Sequence, residues 1–142
     1  MPAKPIALLP LALLASTASA EEAAWDVLRA IEVEEQVATD SYRAIKSYPA
    51  AIENGVERFD ITGFAVPLEE GAVVRTLLLV SDMLTCPFCG ARDHAAALEV
   101  TLAEPIAVEE GQRITLRGAL ELVRDPETWQ AARLTGARLV PT

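Results

Sequence analysis

Histidine occurs once in the 142 residues, at His94, and cysteine only twice, at Cys86 and Cys89. With a single imidazole, any Ser/His/Asp or Cys/His catalysis would have to centre on His94, and the chain offers no oriented third member beside it. No serine stands in a nucleophile elbow and no glycine-rich phosphate loop is present. Aromatic residues are scarce as well, 5% of the chain. Trp25 and Trp129 therefore read as core or barrel-closing residues rather than as stacking platforms. Positive charge is the other shortage: 12 Lys and Arg stand against 21 Asp and Glu, a net charge of −9. Such a chain repels phosphate backbones and anionic lipid surfaces, which argues against nucleic-acid binding and direct membrane binding. Beyond residue 20 no run is apolar enough to cross a bilayer.

The first twenty residues, MPAKPIALLPLALLASTASA, hold one early cation at Lys4, an apolar run and an Ala-Ser-Ala ending. That is the layout of a cleavable export signal, with cleavage expected after Ala20. No cysteine follows the run, which argues against a lipid anchor. Removing residues 1–20 from the 142 leaves 122 and takes away only Lys4 among the charges, so the net charge moves to −10. A chain of 122 residues makes one small domain whose core needs neither metal nor disulfide. Export to the periplasm also places the thiols where a Cys-x-x-Cys pair closes unless a metal or a reductant keeps it open.

Periodicity divides the remainder at about residue 55. Over 21–55 the residues Trp25, Leu28 and Ile31, then Ala38, Tyr42 and Ile45, recur at helical spacing. One or two short helices are expected there, although IEVEEQV is equally compatible with extended chain. From Val56 to the end, residues 56–142, the period switches to two. VERFDITGFAVPL, AVVRTLLLVS, ALEVTLAEPI, QRITLRGALELV and WQAARLTGARLV read as five strands, the second buried on both faces and the third stopped by Pro105. Gly63 and Gly136 read as bulges or bends. Turn signals stand at EEG 69–71, EEGQ 109–112 and RDPET 124–128. The expectation is a mostly β protein, a small five-stranded OB-like barrel with a filled interior and a short N-terminal helical segment. An open sandwich is the alternative.

The sixteen residues between Val80 and Ala97 make an unusually long connection, and they carry TCPFCGARDH. Cys86, Cys89 and His94 supply two thiolates and an imidazole, a set suited to tetrahedral zinc, and to copper(I) with Met83 as a further soft donor. Asp82, Asp93, water or a partner's side chain would supply the fourth position. Closed structural zinc sites usually have two knuckles and this chain has one, so the expected site is exchangeable. CPFC also matches the tetrapeptide of some glutaredoxins, but the long helix that a thioredoxin-type fold places after its second cysteine is missing. Gly90 occupies the histidine position of a haem-attachment motif, which excludes c-type haem. Three readings stay open: a metal site, a thiol–disulfide pair and an inert disulfide. Glu69 and Glu70 are adjacent in a turn, which argues against a general acid/base pair.

Over FDITGFAVPLEEGAVVRTLLLVSDMLTCPFCG and GALELVRDPETWQAARLTGARLV the chain resembles a family of small exported bacterial proteins of unknown function. The resemblance spans residues 56–140 and rests on Gly63, Pro67, Leu68, Glu69 and Cys86. It implies an OB-like barrel and a metal-handling role beside inner-membrane or periplasmic transport components, because members are often encoded next to such systems. Many members carry Cys-x-His in the loop. Here Phe88 stands at the histidine position, with Cys89 and His94 available to replace the lost ligand. Taken together the sequence points to a non-enzymatic metal-binding accessory protein, with a thiol–disulfide redox protein and a structural module of an export complex as the alternatives.

Overall fold

A computed structural model describes residues 17–83 and 97–141. Helix α1 spans Thr17–Arg29, and a two-stranded hairpin follows, β1 Glu32–Ala38 and β2 Ser41–Ser47. The five strands expected from residue 56 onward are all present: β3 Val56–Pro67, β4 Val74–Val80, β5 Ala97–Ile106, β6 Arg113–Leu122 and β7 Ala132–Leu139. They close in the order β3-β4-β5-β7-β6, with β6 returning to β3. Only β5 and β7 run parallel. This is an OB-like barrel, and it rules out the open sandwich.

Alternation builds the interior. Along β6, Ile114, Leu116, Gly118 and Leu120 are buried while Arg113 and Glu121 are exposed. Leu77 and Leu79 of β4, Val100 and Leu102 of β5, and Leu134 and Ala137 of β7 fill the same space. Side chains of this size contribute about 1.5–3 kcal/mol each when withdrawn from water, so the barrel core stands on strand residues alone. The second strand is less enclosed than its composition suggests: Leu78 is only half-buried and Arg75 is exposed.

The glycines divide into two kinds. Gly136 is an extra residue in β7, with φ +57: Arg117 and Ala119 of β6 pair with Arg138 and Thr135 across it. It is the expected bulge. Gly63 is not. Its register with β6 is unbroken from Asp60 through Phe64, and the irregularity of β3 lies between Val56 and Phe59 instead. A Cβ at Gly63 would sit 2.6 Å from the Val80 carbonyl oxygen and 3.0 Å from the Trp25 ring. Its bare backbone lets β4 and α1 come close. Pro105 does not stop β5, which continues to Ile106. Pairing with β7 ends at Leu102, so Pro105 falls where only one edge of the strand is in use.

At the N-terminal side, Ala24, Trp25 and Leu28 of α1 and Ile31 just beyond it join the core, and the Trp25 indole N–H donates to the Thr62 carbonyl at 2.7 Å. All four lie beyond Ala20, the expected cleavage position. The helical spacing of Ala38, Tyr42 and Ile45 proves misleading, because residues 32–47 are the β1–β2 hairpin. β-branched Val33, Val37 and Ile45 favour extended chain on either side of the two-residue turn at Thr39 and Asp40, and that preference prevails over the helical spacing.

Gly63→Ala should lower stability by about 1–3 kcal/mol, since neither the β4 backbone nor the Trp25 ring can yield freely. Urea denaturation monitored by tryptophan fluorescence measures it. Gly136→Ala meets no atom within 4 Å, so it should cost only the strain of its positive φ, about 1 kcal/mol.

Candidate functional site

Cys86, Cys89 and His94 lie outside the described residues, and so does Asp93. The roots of their segment are described. Val80, the last residue of β4, and Ala97, the first of β5, are register partners. The sixteen-residue connection thus starts and finishes at adjacent points on one rim of the barrel. Ser81, Asp82 and Met83 continue from that rim, and the Met83 methyl lies 3.6 Å from where a Gly111 Cβ would stand. Among the described residues no three of His, Cys, Asp and Glu gather as a metal site.

Beside Ala97 opens an apolar cleft of about 310 Å³. Leu28 of α1 and Ile31 just beyond it, Leu78 of β4, Leu98 of β5, and Trp129 and Ala131 of the β6–β7 connection line it. At its edge the Gln130 amide donates to a Glu99 carboxylate oxygen at 3.1 Å. The two tryptophans part company here. Trp25 is a core residue, as its sequence context suggested, whereas Trp129 is 38% exposed on the cleft wall, outside the core cluster.

The connection carrying Trp129 is held by two residues that the sequence did not single out. Lys46 of β2 donates from its ammonium to the carbonyl oxygens of Val123 and Asp125 at 2.7 Å and of Gln130 at 2.6 Å. Three carbonyls around one ammonium saturate its donors. Burial lowers the Lys46 pKa, with the Asp125 charge working in the opposite direction. The Tyr48 hydroxyl lies 2.9 Å from both the Val123 and the Ala131 carbonyl oxygens. Burial raises the Tyr48 pKa, against the lowering effect of Arg124, whose guanidinium stands 5.0 Å from the centre of the Tyr48 ring. Ala44 N–H adds a bond of 2.7 Å to the Pro126 carbonyl. No local pattern marks a lysine that will be enclosed by carbonyls from residues 77 to 84 positions away; only the tertiary fold brings them together.

Glu69, read from sequence as part of a turn, closes that turn. Its carboxylate accepts from the Thr76 hydroxyl and from the backbone N–H groups of Arg75 and Thr76. The Thr76 hydroxyl is the main reason its pKa lies below the usual carboxylate value. A carboxylate so engaged is a structural acceptor, which fits the reading that Glu69 and Glu70 are not an acid/base pair.

No protein-family model, curated protein or solved structure matches this chain. None of the described helices is long and apolar enough to cross a membrane.

Replacing Lys46 by methionine should cost about 2–3 kcal/mol, because carbonyls that accepted charge-assisted bonds are left with poorer partners. The Ala44 amide, tied to Pro126, should lose hydrogen-exchange protection in step, while β3 and β4 amides stay protected up to the new global stability. Unchanged exchange at Ala44 would show that Lys46 does not hold the connection.

Proposed function

We propose that the protein is an exported periplasmic accessory that binds zinc, or copper(I), through Cys86, Cys89 and His94 and passes it on without catalysing a reaction. One observation carries the reading: both thiols and the sole imidazole fall within nine residues of a single long connection whose ends, Val80 and Ala97, are register partners on one rim of a closed barrel. A chain of this size builds a core without help from metal or disulfide, so the cysteines are not needed simply to hold the fold together. Their chemistry, two soft thiolates and a borderline imidazole, suits zinc with one position open to exchange. When bound, the ion would be held by those three side chains, with Asp82 the described residue closest in sequence able to supply an oxygen donor. The excess of acidic residues adds a general attraction for cations, without selectivity. The family resemblance supports the same role beside a transport system.

Protein purified under reducing conditions should carry about one equivalent of zinc by elemental analysis. Either Cys86→Ser or Cys89→Ser should abolish that loading, and His94→Ala should weaken it by 10-fold or more, a loss of about 1.4 kcal/mol or more. Chelation should leave the far-ultraviolet circular dichroism of the barrel unchanged, because the metal does not build the core. Absence of metal together with a reversible dithiol couple well above about −300 mV would replace this reading with thiol exchange. Absence of both would leave the segment as a docking element of an export complex.

A further inference from the structure

The β1–β2 hairpin is a ribbon with almost no core of its own. Of its fourteen strand residues only Ala44 is buried, and Val37 and Ile45 are 76% and 44% exposed. Two strands alone are marginal in water, and a third strand or a packed face is what normally makes such a ribbon stable. One edge is already used, through Ala44 N–H and the Pro126 carbonyl. That bond also fixes the hydrogen-bond phase of the ribbon. In an antiparallel pair a residue turns both backbone groups toward its partner strand or both away. Ala44 turns away from β1, so its register partner Glu35 turns away from β2, as do Val33 and Val37 two residues on either side. The outer edge of β1 therefore presents a strand-pairing ladder, and among the described residues no strand occupies it.

The side chains along that edge say what could lie there. β1 reads Glu-Val-Glu-Glu-Gln-Val-Ala, with no cation. Glu32 and Glu34 share the solvent face, where Ile45 is the cross-strand neighbour of Glu34, while Val33, Glu35 and Val37 share the opposite face, the Glu35 carboxylate accepting from the Tyr42 hydroxyl at 2.7 Å. A second copy of β1 is a poor occupant. Pairing two copies antiparallel about their centres sets Glu35 against Glu35, and pairing them parallel in register sets every glutamate against its like, which destabilises a sheet. A complementary strand alternates Lys or Arg, opposite Glu32 and Glu34, with β-branched residues opposite Val33 and Val37.

We propose that the outer edge of β1 is a docking site for an extended basic segment of a partner protein, which joins the hairpin as its third strand. Backbone hydrogen bonds supply affinity and the glutamates select the charge of the incoming strand. The proposal is independent of metal binding at Cys86, Cys89 and His94.

The test uses the full chain and the peptide acetyl-Lys-Val-Lys-Val-Lys-Val-Lys-amide, followed by NMR and amide exchange. Binding should slow exchange at Val33 and Val37 and shift β1 resonances ahead of those of β3–β7. N-methylating alternate peptide nitrogens keeps every charge but removes the ladder donors, and should weaken binding about tenfold or more. Glu32→Lys with Glu34→Lys, both exposed, should weaken it comparably without moving the melting temperature. Equal binding of the N-methylated peptide would reveal mere attraction to an acidic surface and overturn the proposal. So would protection centred on the barrel, or no binding at millimolar peptide.

Discussion

The position of β7 between β5 and β6 is the constraint that brings two of the molecule's connections to one rim of the barrel. One strand pairs parallel on one side and antiparallel on the other, and its single extra residue, Gly136, shifts the register on both. Leu134 and Ala137, three apart rather than two, both face the core because of that insertion. With β7 seated, Ala132 lies beside the start of β5, and the connection leading into β7 must cross the same rim from which the Val80–Ala97 connection departs. Two loops are thereby brought to one end of the barrel: one bears both cysteines and the histidine, the other bears Trp129.

A closed barrel gives that end a rigid base. Every barrel strand has a neighbour on each side, so the cost of ordering the connections is not added to the cost of an open edge. Lys46 and Tyr48 extend this stability outward by binding carbonyls of residues 123–131. The hairpin that supplies Lys46 is thus fixed at its base and exposed toward its tip. A rigid barrel, a tethered loop and a projecting ribbon keep the proposed metal-binding connection apart from the proposed docking edge.

Barrel strands were legible because a half-buried strand writes its burial into every second residue. Ile114, Leu116 and Leu120 announce β6, and the turn signals at 69–71, 109–112 and 124–128 fall in the connections observed. The hairpin was harder to read for the same physical reason. A ribbon with only one buried strand residue leaves little burial pattern, and Ala38, Tyr42 and Ile45 then mimic helical spacing. Gly63 shows a second limit: a glycine required by a close approach and one required by a bulge look alike in sequence. Trp129 and Lys46 show a third, since their environments come from residues far away along the chain. The cysteine–histidine motif is the opposite case. It is conspicuous in sequence because its spacing is local, and it lies outside the described residues, so its chemistry rests on composition and spacing.

Charge links the two proposed surfaces. The excess of acid is spread widely: Glu21 pairs with Arg113, Asp60 with Arg117 and Glu121 with Arg133, all at exposed positions where such pairs contribute little stability. β1 differs in having three glutamates and no cation within its seven residues. Carboxylates on an edge strand oppose pairing between copies. The same row does not oppose a basic strand. Acidity thus discriminates between partners at the ribbon, whereas at the β4–β5 connection it can only raise the local concentration of cations. Selectivity there must come from sulfur and imidazole, the donors of which this chain has fewest.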